Sequence, residues 1–198
     1  MLLNHELSQL VLVDYQAKLM PAIHDHESVL KNARILAQMA KKCHVPVFAT
    51  EHMPEKIGEF DPTLAALCKG RLRKSHFSAC PEGLVDLLMA KPQASGNARS
   101  LPKHLQKASA AEPRSSIVIA GVETHICLLQ TALDLLDQDL EVWVVTDACG
   151  SRTERNRDAA FDRLAGNGAE LVTTEMVIFE WLENAEHEHF KTVLDLIK

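Results

Sequence analysis

The turn Gly121-Val-Glu-Thr-His-Ile-Cys127 places a capping hydroxyl and a thiol a few residues apart. Threonine favours the position just before a helix, because its oxygen accepts a bond from an unpaired N–H of the first turn, and Thr124 is predicted to cap in this way. Cys127 then falls in the first turn, at the positive end of the helix dipole. A free thiol ionises near pH ~8.5, and a helix start with neighbouring cations lowers this by ~1 to 5 units, so an activated nucleophile is predicted. The same N–H groups suit the oxyanion of an attacked carbonyl. The alternative is a small buried cysteine packed under a helix.

Two other segments carry chemistry of a matching kind. Asp14 directly follows the apolar run Leu10-Val-Leu-Val13, where a carboxylate could accept a thiol proton; the plain alternative is a loop or capping acid. Arg71-Leu-Arg-Lys-Ser-His-Phe77 alternates cations with Leu72 and reads either as a short strand delivering one cation inward or as a solvated basic surface strand. Asp147 also follows an apolar run, and with Arg152 nearby it reads as a helix cap or an internal partner. The pairs His24-Asp-His26 and His187-Glu-His189 lie in polar segments and read as solvated side chains, so no metal site is assigned to them.

The elements that must position these residues alternate between strand and helix. Leu10–Val13, Val45–Thr50, Ser116–Gly121, Glu141–Thr146 and Ala169–Val172 read as strands, the first as one buried on both faces. Between them, Glu27–Cys43 carries Val29, Leu30, Ala33, Leu36, Ala37 and Ala40 at helical spacing, and helices are also predicted over Thr124–Leu136 and around Glu154–Leu164. Such alternation means right-handed βαβ units, so the expected fold is a single doubly wound α/β domain spanning 1–198 with a mostly parallel sheet. Residues 91–115, rich in Pro, Ser, Gly and Ala, read as a surface excursion with a short helix at Leu101–Ala108. In open parallel sheets ligands bind beyond the carboxyl ends of the strands, which is where Asp14, Glu51, His52, the 121–127 turn and Asp147 fall.

Composition narrows the function classes. The chain has 198 residues, 46% hydrophobic and 24% charged, which suits one globular core. Its net charge of -6 and scattered Lys and Arg argue against nucleic acid as a partner. No apolar run approaches the ~18 residues of a membrane span and no basic leader opens the chain, so a cytoplasmic protein is expected. Five widely separated cysteines, with no C-x-x-C pair, argue against a disulfide framework or a structural zinc. The phosphate-binding G-x-G-x-x-G and G-x-x-x-x-G-K-[ST] signatures, the G-x-S-x-G elbow and H-E-x-x-H are also absent.

Val11-Leu-Val-Asp-Tyr-Gln16, Arg73-Lys-Ser-His-Phe-Ser78, Gly121-Val-Glu-Thr-His-Ile-Cys-Leu-Leu-Gln-Thr-Ala132 and Thr146-Asp-Ala-Cys-Gly-Ser-Arg152 together resemble the isochorismatase-like cysteine hydrolase superfamily, over roughly Leu10 to Leu182. Within it, Val45-Pro-Val-Phe-Ala-Thr-Glu-His-Met-Pro54 and the C-terminal Phe190–Lys198 are most similar to the isochorismatase-domain-containing proteins. The resemblance implies a triad of Asp14, Lys74 and Cys127, a cis peptide at Val122-Glu123 serving the oxyanion site, and Gln16 and Phe77 in the substrate pocket. It also implies a small-molecule substrate and a homo-oligomer. Nicotinamidases of the superfamily bind a metal through an Asp-x-His pair after the second strand. Here Thr50-Glu-His52 stands instead, so no metal or other cofactor is expected. The expected activity is C–N bond hydrolysis of a small amide through a thioester. The alternatives are an isochorismatase-type vinyl-ether hydrolase and a non-catalytic scaffold retaining the fold.

Overall fold

Ser8–Val13 (β1), Val47–His52 (β2) and Ser116–Gly121 (β4) are buried along their whole length, as near-continuous apolar strands in a parallel sheet covered on both faces should be. They form the centre of a six-stranded parallel sheet in a computed structural model that describes residues 2–90 and 114–197. Gly70–Lys74 (β3), Glu141–Val145 (β5) and Glu170–Val172 (β6) complete it, in the order β3-β2-β1-β4-β5-β6. The excursion read at 91–115, with its helix at Leu101–Ala108, lies outside the described residues except for Arg114 and Ser115.

Helices connect the strands as βαβ units require. His26–Lys42 (α1) joins β1 to β2, and the short helices Pro54–Ile57 (α2) and Pro62–Ala65 (α3) lead into β3. Leu84–Met89 (α4) follows β3; Leu129–Leu136 (α5) and Glu154–Gly166 (α6) flank β5; Thr174–Leu182 (α7) and Phe190–Ile197 (α8) close the chain. Helix α1 packs with α7 and α8, while α5 packs with α6, which gives a helical layer on either side of the sheet. The doubly wound reading is correct, with strand ends displaced by a few residues. The second strand runs two residues past its predicted end, through Glu51 and His52. Hydroxyl caps start two of the helices: Thr153 accepts from the Asn156 N–H and Thr173 from the Met176 N–H.

Strand order reverses between β1 and β4, the switch point at which an open α/β sheet leaves a crevice. Gly121 brings the two strands close enough to define that crevice. A Cβ at this position would lie 2.3 Å from the Val13 carbonyl oxygen, and its φ is +153°. Among the C-terminal aromatics, Trp181 is fully buried and donates to Ser8 Oγ at 3.1 Å, while Phe179 is exposed and packs edge-on to Phe190. No helix of the described residues is long and apolar enough to cross a membrane.

Candidate active site

Asp14 ends β1 with a positive φ of 53°, a conformation that aspartate tolerates better than most residues and that turns the chain out of the sheet. Its carboxylate is completely buried and bonded on both oxygens: Thr50 Oγ1 donates to Oδ1 and Lys74 Nζ to Oδ2, each at 2.7 Å. The lysine comes from β3, two strands away. Neighbouring strands stand ~4.8 Å apart, so only a long stem reaches across the end of β2 to this carboxylate. Alternation along β3 explains why Lys74 is the residue that enters. Arg71 and Arg73 point outward to Glu51, while Leu72 and Lys74 share the inner face.

The Lys74 ammonium is held on its other sides by main-chain carbonyls, of Phe77 at 2.9 Å and His76 at 3.4 Å. The segment carrying those carbonyls is fixed in turn. Glu82 accepts from the N–H groups of Ser75 and His76 and from their side chains, and these bonds hold its carboxyl down at about 2. The buried hydroxyl of Thr131 accepts from the Ala79 N–H and donates to the Cys127 carbonyl, tying the lysine loop to the cysteine turn.

Cys127 is 7% exposed, and its thiol lies close enough to Asp14 and Lys74 to feel both charges. The ionisation predicted from a helix start does not hold. Burial, and then the Asp14 charge, push its thiol up to about 12 against the weaker opposing pull of Lys74. The resting group is a neutral thiol with a base at hand. The local structure also differs from the reading: Thr124–Leu128 form a π-helical turn before α5, and Thr124 makes no capping bond. Its Oγ1 is buried without a partner among the described residues.

The peptide between Val122 and Glu123 is cis. The Glu123 side chain accepts from the Arg152 N–H at 3.2 Å and from its Nε at 3.0 Å. The turn is thereby anchored to the loop after β5. Arg152 is engaged there and does not pair with Asp147, whose Oδ1 accepts instead from Thr174 N and Oγ1 at the start of α7.

Gln16, expected in the substrate pocket, is fully buried and spends both amide N–H bonds on the main chain, donating to the His52 and Gly58 carbonyls at 3.0 and 2.7 Å. Its Oε1 accepts from the His52 N–H at 2.7 Å. Gln16 thus braces the ends of β1 and β2, with both amide N–H groups engaged by main-chain carbonyls. Phe77 is half-exposed and stacks on His52, with ring centroids 5.6 Å apart and planes at 25°. Thr50 was not singled out in the sequence and His52 only as a residue at a strand exit with no role assigned, although polar side chains on a wholly buried strand were the signal for both. His24 and His26 lie on the surface, and His187 Nδ1 accepts from the His189 N–H. Among the described residues no three His, Cys, Asp or Glu side chains are grouped to hold a metal.

A buried acid at the end of the first strand, a cation crossing from the edge strand and a thiol on the turn after the fourth strand lie together at the switch point. Residues 8–176 match the isochorismatase domain family model, and the chain belongs to this hydrolase family. It is 36% identical to isochorismatase domain-containing protein 2 of Bos taurus over 96% of this chain and 83% of the relative, and 34% identical to that of Xenopus laevis over 98% and 85%. Among solved structures, the MAR1 ribonuclease from Caenorhabditis elegans superposes with a TM-score of 0.83 at 28% identity, covering 100% of this chain and 92% of that one. YcaC from Pseudomonas aeruginosa, solved with hexane-2,5-diol and covalent acrylamide, shares the fold with a TM-score of 0.81 at 23% identity, covering 98% and 91%. The YcaC product of Escherichia coli, described as an octameric hydrolase of unknown specificity, does so with a TM-score of 0.78 at 22% identity, covering 99% and 94%.

Proposed function

We propose that this chain is a metal-independent cysteine hydrolase that cleaves the C–N bond of a small amide through a thioester on Cys127. The observation that carries the reading is a buried thiol close enough to Asp14 for that charge to push it up, beside a carboxylate that Lys74 and Thr50 hold in place. The Cys127 proton passes to Asp14 as Sγ attacks the amide carbon, and the C=O electron pair moves onto oxygen. Main-chain N–H groups of the Val122–Cys127 turn receive that oxyanion. Collapse of the intermediate breaks the C–N bond, and the proton on Asp14 goes to the leaving nitrogen, giving ammonia and a thioester. Water then attacks the thioester carbon, Asp14 taking its proton and returning it to sulfur as the C–S bond breaks. Lys74 holds the Asp14 carboxyl in position through these proton transfers.

The vinyl-ether and scaffold readings are weaker. A scaffold has no use for two fully buried charges, whose removal from water costs several kcal/mol per ion. A polyanionic substrate such as RNA, named for the worm neighbour, fits poorly with a net charge of -6 and with Lys74, Arg71 and Arg152 each facing a carboxylate. The five cysteines are all free, which supports a reducing, cytoplasmic setting. The octameric state of the E. coli relative supports a homo-oligomer.

The test is ammonia release from a panel of small primary amides and ureas, with and without EDTA. At least one substrate turned over by the wild type, unaffected by EDTA and lost in Cys127→Ala and Asp14→Asn, is the expected result. Turnover that survives Cys127→Ala overturns the reading.

A further inference from the structure

We propose that His52 is the second anchoring group of the substrate site, its ring Nδ1 hydrogen-bonding a hydroxyl or second amide on a neutral small amide whose carbonyl lies at Cys127. The proposal rests on the reading of Cys127 as nucleophile and adds a substrate class to it.

Register and stacking both put the imidazole beside the triad. His52 is the last residue of β2 and is paired in register with Lys74. Side chains alternate along a strand, so His52 shares its sheet face with Thr50, which holds Asp14. Its ring stacks on Phe77, whose carbonyl holds Lys74. His52 is only 9% exposed, and its Nδ1 is buried with no hydrogen-bond partner among the described residues. Buried polar atoms are almost always bonded, because leaving one unmet forfeits its hydration. The main chain of His52 is fixed by both ends of the Gln16 amide, so the unmet ring nitrogen belongs to a braced residue.

The charges around the site indicate what the partner is. Lys74 faces Asp14 and Arg152 faces Glu123, so both of these cations are already matched, while Arg71 and Arg73 share Glu51, on the opposite sheet face from His52. A carboxylate or phosphate on the substrate would find no uncompensated cation in Lys74 or Arg152. One hydrogen bond beside an exposed aromatic ring suits a neutral molecule with a polar group set apart from its scissile bond.

The test uses four probes that can alkylate Cys127: N-(hydroxymethyl)acrylamide and N-(2-hydroxyethyl)acrylamide, with their methyl-for-hydroxyl analogues N-ethylacrylamide and N-propylacrylamide. Rates of modification at Cys127 are read by peptide mass spectrometry and divided by the rates with free cysteine in solution. In the wild type at least one hydroxylated probe should react about three- to tenfold faster than its analogue, the gain from one neutral hydrogen bond. In His52→Phe, which keeps the stacking and removes both ring nitrogens, the ratio should fall to about one while the alkyl probes change by less than about twofold. His52→Asn, whose amide nitrogen stands near the place of Nδ1, should restore part of the ratio. Where His52→Phe does not fold, His52→Gln, which reaches the Nε2 position instead, should show the same ratio of about one. Equal ratios in the wild type and these variants overturn the role of His52 and leave Cys127 as nucleophile. Modification of other cysteines but never of Cys127 overturns both readings.

Discussion

Lys74 Nζ stands 2.7 Å from Asp14 Oδ2 with both side chains wholly removed from solvent. Such a pair contributes less to net stability than its geometry suggests, since both ions have lost their hydration, but removing one partner strands the other. Lys74→Met should therefore destabilise the fold by about 3–5 kcal/mol in urea unfolding. The double variant Asp14→Asn/Lys74→Met should recover at least about 2 kcal/mol relative to the sum of the single changes. Strict additivity would mean that the two charges do not depend on each other. All three variants should be inactive.

The resting thiol sets a pH dependence. With Cys127 held up at about 12, only roughly one molecule in a hundred thousand carries a thiolate near neutral pH. Ultraviolet thiolate absorbance of the wild type minus that of Cys127→Ala should show no step below pH ~10, where a dipole-activated cysteine would titrate near or below neutrality. The stability effect follows from the sign of the shifts. Every cysteine here is raised above its unfolded value of 9.0, Cys68 and Cys80 to about 11 and Cys127 and Cys149 to about 12. A raised group lends its stability in full below the unfolded value and loses it as pH climbs toward the folded one. The Tm should be flat up to pH ~8.5 and fall from there toward pH ~12.

Gly121 is a packing requirement of the switch point. Gly121→Ala sets a Cβ against the Val13 backbone at 2.3 Å, so the loss should be at least about 3 kcal/mol, at or beyond the usual range for overpacking. Gly166→Ala, at a helix end with no atom within 4 Å of the added Cβ, is the matched control and should be neutral or stabilising by about 0.5–1 kcal/mol. Chemical denaturation of the two variants separates these outcomes.

Thr50 acts through Asp14. Thr50→Val removes the hydroxyl that donates to Oδ1 and leaves that buried oxygen unmet, which should cost about 1–3 kcal/mol of stability. Acrylamide modification of Cys127 should slow by about tenfold, since a carboxylate out of position accepts the thiol proton less well. Thr50→Ser should restore both quantities, a rescue that a purely volumetric role for Thr50 would not produce.

Much of the site was legible in the strand patterns. Continuous apolar runs marked β1 and β4, and the residues just beyond them, Asp14 and the cysteine turn, flank the switch point. Lys74 was legible in principle: in Arg71-Leu-Arg-Lys74, period-two alternation pairs the lysine with Leu72 on the inner face and sends both arginines outward. What escaped were effects of tertiary packing. Thr124 has the right chemistry for a cap, yet the π-helical turn leaves its hydroxyl without a bond. The helix dipole favours a thiolate at Cys127, but burial and the Asp14 charge oppose it and prevail. Gln16 has the polarity of a pocket residue, and only the chain path around Gly58 shows that its amide is already spent.

Site-resolved acrylamide labelling near neutral pH tests the central claim most directly, because exposure and ionisation alone point the other way. Cys68 and Cys80 are more exposed than Cys127 and their thiols lie lower, so without assistance they should react first. The account predicts that Cys127 is modified first and that Asp14→Asn slows it by at least about a hundredfold, the contribution of a positioned general base, while Cys68 and Cys80 keep their rates. Earlier labelling of Cys68 and Cys80, with Cys127 indifferent to Asp14→Asn, would contradict it.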